Sequence, residues 1–241
     1  MRRRSYVVRW TALLFAWVAT GAVHLAAQRP DARPLISALP FTNSVVGDEH
    51  AALSPLSAGI PELVLIELAR NPAIKAVERE RLRRVLASQR LDPQGRIDDE
   101  GASHVGRILG AQFVVRGSFT SDGYGAIRIV ATEIDVESGR VEHTATVDGK
   151  QANLAALIGQ LAEHLSHDMR LAELPREQKQ ARESAQRASY ETTLLFARAI
   201  EARDAGKVQQ AIELLQQLLA QAPEYEAARD ELTRLHSDRG R

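Results

Sequence analysis

From Gln112 onward the hydrophobic period changes from helical spacing to two, and no other feature constrains the fold as tightly. Residues 112–120 place Phe113, Val115, Gly117 and Phe119 on one face. Ser121-Asp122-Gly123-Tyr124-Gly125 is a tight connection, and Ala126 to Val136 is a second strand. Its alternation is blurred. Ile127, Ile129 and Ala131 face one way and Val130, Ile134 and Val136 the other, as a bulge or cover on both faces would produce. Glu137-Ser138-Gly139-Arg140 turns the chain into a third strand, Val141 to Val147. Connections this short make the three strands antiparallel, because a parallel crossover needs about a dozen residues or more.

Upstream, short apolar runs alternate with helical patterns. Pro34 to Phe41, ended by Thr42-Asn43-Ser44, predicts a buried first strand. Ile60, Leu63, Val64 and Leu68 sit at helical spacing, with Ser57 as N-cap, Pro61 near the first turn and Asn71-Pro72 as the stop. Ala73 to Val77 is a second short strand. The charged run from Glu78 to Leu86 carries one apolar stripe, Leu82, Val85 and Leu86, and predicts a solvated helix. Asp92-Pro93-Gln94-Gly95 is a turn. Asp98-Asp99-Glu100 opens another helix with carboxylates at its favourable end. Its apolar face is Val105, Ile108 and Leu109, and Gly110 ends it. After the meander, Asn153 to Met169 is a helix with Leu154, Leu157, Ile158, Leu161 and Leu165 on one face. Residues 33–170 therefore predict an α/β (α+β) domain, a mixed sheet with an antiparallel three-stranded meander covered by helices.

Residues 171–187 read as a polar helical linker. Arg176 to Arg187 is either a connector or the exposed first half of a long helix. Residues 188–237 hold three helical stretches, Leu194–Arg203, Val208–Ala220 and Tyr225–Leu235, broken at Gly206 and Pro223. They predict a C-terminal all-α helical-repeat hairpin.

Residues 1–27 read as an export signal. Arg2, Arg3, Arg4 and Arg9 form a positive head, Trp10 to Ala27 is free of formal charge, and Ala26-Ala27 is a small-residue exit. An uncleaved membrane anchor is the alternative. Cysteine is absent, which excludes disulfides, thiolate metal sites and a lipidated N-terminal cysteine. The whole chain is formally neutral; without residues 1–27 it holds 27 basic and 31 acidic side chains. That balance offers no electrostatic basis for nucleic-acid binding.

The chemistry-bearing motifs are sparse. His164, His167 and Asp168 share a helix, but no third ligand from elsewhere accompanies them, and Leu161 and Leu165 account for that helix as a packing element. His104 reads as a packed or surface histidine. Gly101 to Ile108 has the glycine spacing of a phosphate loop without its Lys or Ser/Thr, and it follows a turn rather than a strand. Asp98-Asp99-Glu100 reads as a helix cap, and Arg81, Arg83 and Arg84 as a solvated face. Arg79, just past an apolar strand, reads as partly buried and paired. Neither a Gly-x-Ser-x-Gly elbow nor a His-Glu-x-x-His pair occurs. The expectation is no catalytic, metal or cofactor-binding residue, and no enzyme.

Several segments together carry a family resemblance. They are Ala38-Leu39-Pro40-Phe41, Val77-Glu78-Arg79-Glu80-Arg81-Leu82, Val85-Leu86, Leu109 to Ser118 and Ile134-Asp135-Val136-Glu137-Ser138-Gly139-Arg140-Val141. In this order and spacing the chain resembles the CsgG family of bacterial envelope proteins over roughly residues 34–168. That family is similar to the FlgO domain and the TolB N-terminal domain. The resemblance implies an α/β domain used for assembly at the outer membrane or in the periplasm, not catalysis. The curli-secretion member threads long hairpins through the membrane. Here the connections at Ser121–Gly125 and Glu137–Arg140 are too short for strands of about 9–11 residues, so no pore is expected.

Ala199, Gly206, Ala211, Leu215 and Pro223 resemble a single tetratricopeptide repeat, with Leu195 where Trp is usual and Ala202 where Tyr is usual. Phe196, Ile200 and Arg203 share a face that binds peptides in such repeats. They are the candidate protein-binding face, with packing inside the chain as the alternative.

The sequence thus predicts an exported, non-enzymatic envelope scaffold or adaptor in the periplasm or at the outer membrane. Its expected partners are other envelope proteins and further copies of itself. Membrane association is peripheral or through an uncleaved N-terminal segment. The alternative is a periplasmic ligand-sensing or cell-wall-associated regulatory domain.

Overall fold

The structure is a computed structural model that describes residues 33–89, 97–169 and 173–239. The export segment 1–27 and the turn at 92–95 lie outside the described residues. In chain order the first elements are β1 (Leu35–Ala38), β2 (Thr42–Asn43), α1 (Glu49–Leu53), α2 (Leu56–Ala69), β3 (Lys75–Ala76), α3 (Arg79–Ser88) and α4 (Asp99–Leu109). The meander follows as β4 (Phe113–Ser121), β5 (Ala126–Asp135) and β6 (Val141–Lys150). A 3₁₀ turn leads into α5 (Leu154–Asp168), then α6 (Arg176–Gln186), α7 (Tyr190–Asp204), α8 (Val208–Gln221) and α9 (Glu226–Arg239).

The sheet is mixed, in the order β3-β1-β4-β5-β6, with β2 also paired to β4. β1 lies parallel to both β3 and β4, and β4, β5 and β6 run antiparallel. The first strand is shorter than its apolar run because Pro40 has no N–H to donate. Pairing resumes two residues later. The Leu39 N–H donates to Val115 O at 2.8 Å and the Ser44 N–H to Phe119 O at 2.9 Å, so Thr42-Asn43 belongs to the sheet rather than ending the strand. The blurred alternation of β5 has both expected causes. A register shift lies between Glu133 and Ile134, and the strand is covered on both faces.

On one face α2 and α5 bury Ile36, Phe41, Val115, Phe119, Ile127 and Ile129. On the other, α3 and α4 cover Leu39, Val77, Val114, Ile134 and Val136. Gly106 of α4 lets that helix lie on the sheet, since a Cβ there would collide with Val114 and Val136. Asp98 caps α4 by accepting from the Gly101 N–H at 2.9 Å, and Gly110 ends it at φ +67°. Ile108, expected on the apolar face of α4, is 40% exposed, because α4 rests on the sheet along Val105 and Leu109.

Two local expectations are corrected. Ser57 does not cap α2, which starts at Leu56 with Pro55 at the N-cap position. The two residues between α1 and α2 supply the acceptors instead: the Ser57 N–H donates to Ser54 O and the Gly59 N–H to Pro55 O. Pro61 accordingly lies inside the helix. The polar stretch after residue 175 is a separate helix, not the first half of a longer one. α6 stops at Gln186, and Ser189 opens α7 by accepting from the Thr192 N–H.

Glu49–Ala69 is long and apolar enough by composition to cross a bilayer, but it is a mostly buried core segment. α2 has the sheet on one side and α7 on the other, so Leu56, Ile60, Leu63, Val64, Leu65 and Leu68 are all buried. A helix that is apolar around its whole circumference belongs in an interior. The described residues belong to one compact unit.

Candidate functional site

β3 is two residues long, and Val77-Glu78 turns the chain directly into α3, so Arg79 is the first residue of that helix. Its side chain is 6% exposed. Arg79 Nη1 donates to Glu62 Oε2 of α2 at 3.1 Å, and Nε donates to Asp204 Oδ1, the last residue of α7, at 2.9 Å. Nη2 also binds Asp204. Burial works against the Arg79 charge. The Asp204 and Glu62 carboxylates overcome it and hold the guanidinium above arginine's ordinary value. One turn on, Arg83 binds Glu80 at 3.0 Å and reaches the Asp204 main-chain oxygen at 3.4 Å. Two cations therefore meet the carbonyl end of α7, where the helix dipole favours positive charge.

A second ionic group ties α6 and α9 to α2. Glu67, nearly buried, accepts from Arg70 at 3.0 Å and from Arg182 of α6 at 3.2 Å. Arg70 also binds Glu226 of α9 at 3.2 Å. Between the two groups α2 and α7 cross closely, and a Cβ at Gly59 would overlap Ala197.

The crossing leaves a cleft of about 780 Å³ between the α/β layer and the end of α7. Pro40 and Asn43 line it from the first strands, Ser57 from α2, Leu82 and Leu86 from α3, and Glu201 from α7. It lies beyond the carboxyl end of the parallel strands. β1 has β3 on one side and β4 on the other there, which is where open α/β sheets bind ligands. Its volume falls within the range of about 300–1,000 Å³ typical of ligand clefts.

The structure places Phe196 and Ile200 wholly inside, at 0% exposure. Arg203 is held by Glu231 of α9. In this chain α2 occupies the inner side of the hairpin, and these residues pack rather than present a surface. His164 and His167 lie on the exposed side of α5, and His104 is exposed with Gln89 Oε1 3.3 Å away. Among the described residues no three His, Asp or Glu side chains converge as a metal site. Arg79 is buried and paired as its sequence position suggested. Its partners Glu62 and Asp204, and the cleft edge at Asn43, are not marked in the sequence by any motif.

Fold and site together define a mixed α/β domain clasped by a helical-hairpin tail, with a composite cleft between them. Its family is established by the match of residues 22–148, more than half of the chain. The chain belongs to the CsgG family, "Curli production assembly/transport component CsgG", a family of bacterial envelope proteins. Solved structures similar to it include the LpoB C-terminal domain from Escherichia coli, at 19% identity over 52% of this chain and 89% of that one, TM-score 0.37. Another is TolB from Acinetobacter baumannii, at 16% identity over 60% of this chain and 29% of that one, TM-score 0.37. A third is the PelC dodecamer from Paraburkholderia phytofirmans, at 14% identity over 58% of this chain and 90% of that one, TM-score 0.36. No curated protein matches the chain.

Proposed function

We propose that the chain is a non-enzymatic scaffold or adaptor of the bacterial envelope that works through protein–protein contact, in the periplasm or against the outer membrane. One observation carries this reading. A domain of an envelope family is locked to a helical tail through Arg79, Glu62 and Asp204, so the two present a single composite surface. The tail is repeat-like in its small-residue spacing, and its own first helix is already taken up by α2. Partners must therefore meet the surface the two parts make together.

The test is in-cell photo-crosslinking of the full chain, with the crosslinker placed singly around the surface at Ala87, Tyr124, Thr144 and Arg229. Reproducible crosslinks to one envelope protein, or to a second copy, support the reading. Absence of polypeptide crosslinks at every position refutes it and turns attention to small-molecule sensing in the cleft.

A further inference from the structure

We propose that the cleft beside β2 receives a short, uncharged, extended segment of a partner polypeptide, which adds to the sheet along the edge of β2 at Asn43. The proposal deepens the adaptor reading and rests on it.

Among the described residues the sheet has an unfilled lane beside Asn43. β3 pairs with β1 through Leu35–Lys75 and Ile36–Ala76 only, and the chain then leaves as α3. The position next to β2, which continues the line of β3, holds no strand among the described residues; β2 pairs with β4 alone. The cleft occupies that position, bounded by Pro40, Thr42 and Asn43 on one side and Leu82, Leu86 and Ala87 on the other.

The edge that faces it is chemically a strand edge. The Ser44 N–H points to β4, onto Phe119 O at 2.9 Å. In a parallel pair alternate residues bond to opposite neighbours, so the Asn43 N–H and C=O point away from β4, into the vacant lane. Phe41 has the same parity, and its N–H indeed points that way, donating to Ser57 O at 2.9 Å. The Asn43 side chain is turned back onto its own loop. Its amide donates to His50 O at 2.9 Å, and its Oδ1 accepts from the Val45 N–H at 3.0 Å. That leaves the main-chain pair clear.

The lining selects the occupant. Leu82, Leu86 and Ala87 give an apolar floor for alternate side chains of an added strand. The charged groups of the lining are Arg79, Arg83, Glu201 and Asp204, two of each sign. Both guanidiniums are already engaged by carboxylates. A free carboxylate or phosphate would find no unpaired cation there, and the Glu201 carboxylate accepts from the Ser54 hydroxyl at 3.2 Å. A neutral main chain with apolar side chains meets both the hydrogen-bonding edge and the floor.

The experiment uses the full chain and an end-blocked pentapeptide of alternating valine and threonine as probe. Hydrogen exchange is followed amide by amide by NMR. Saturating peptide is expected to slow the Asn43 amide by about tenfold or more, as a newly bonded edge amide should be. The same peptide with its main-chain nitrogens methylated should give no protection. Ala87→Trp and, independently, Ala205→Trp, both at exposed positions on the cleft wall, should abolish the effect while leaving the unliganded spectrum folded. Failure of the peptide to protect Asn43 overturns the proposal. So does equal binding of the methylated peptide, which would mark an apolar cavity without strand addition. Crosslinking separates the two levels: a partner captured from Thr144 or Tyr124 but never from Ala87 overturns the cleft proposal and leaves the adaptor reading standing.

Discussion

The Phe41 N–H donates to the Ser57 carbonyl at 2.9 Å, and Ser57 is the residue whose helical donor is missing because residue 61 is proline. Within α2 the Ser57 oxygen would ordinarily accept from the N–H of residue 61. Proline frees it, and the bend after β1 uses it. Pro61→Ala supplies the missing donor and sets up competition for one oxygen. The Phe41 amide is expected to exchange faster in that variant. Global stability should change by less than about 2 kcal/mol, since helix propensity gained and chain entropy lost oppose each other. Amide exchange at Phe41 read alongside a urea midpoint checks both parts.

Gly59 faces Ala197 across the crossing of α2 and α7 with no room for a Cβ. Gly59→Ala is expected to destabilise the chain by about 1–3 kcal/mol through overpacking. Ala197→Gly in the same chain should recover only part of that, because the residue 197 Cα, 2.7 Å from the added Cβ, stays in place and glycine inside a helix itself costs about 1 kcal/mol. Urea denaturation of the two single variants and the double variant decides it. Additive losses would mean that the two residues do not share this contact.

Arg79 compensates a buried carboxylate on α2 as well as joining α7. Arg79→Met leaves Glu62 in the interior without its cation and should cost about 3–5 kcal/mol. Adding Glu62→Gln removes the stranded charge, so the double variant is expected to be more stable than Arg79→Met alone. A double variant that is less stable would show that Glu62 does not need this partner.

Burial pushes the Tyr225 phenol above its ordinary value, the charge of Glu67 adds to the effect, and a hydrogen bond with Thr193 offsets part of it. The folded chain thus favours the protonated ring, while the unfolded chain ionises near pH 10. Stability from this group is complete below about pH 10 and falls as pH rises beyond it. Thermal unfolding between neutral pH and pH 11 should show that loss, and Tyr225→Phe should reduce it. Tyr190, also raised chiefly by burial, leaves a remainder.

Phe196 and Ile200 test packing against display. Phe196→Ala is expected to cost about 3–5 kcal/mol by opening a cavity at a fully buried site. Partner crosslinks normalised to folded protein should not change. A selective loss of crosslinks at unchanged stability would return these residues to a binding role.

The meander and the helices around it were legible because their signals are local. Period two from Phe113, turn residues at Gly123 and Gly139, and the stop at Gly110 each act within a few positions. What stayed hidden depends on distant pairs. β2 is two residues long and exists because β4 is long enough to pair with it. The Arg79–Asp204 pair spans 125 positions, and neither residue carries a motif for the other. The tail posed a different problem. A face count on α7 shows which residues align, not what covers them. The signal that would have settled it is the near-complete ring formed by Leu195, Phe196, Ala197, Ala199, Ile200 and Ala202, all buried, more than one partner helix alone can cover.

The placement of α2 between sheet and tail also sets a timetable. Its outer side is made early, yet the helix that covers it begins only at Tyr190, most of the way along the chain. A chain emerging from its N-terminus holds Leu63 and Gly59 bare through the synthesis of everything between. Closing such distant contacts is slow, and exposed apolar surface in the interval invites aggregation. The last step of folding is then the arrival of the tail, and with it the appearance of the cleft.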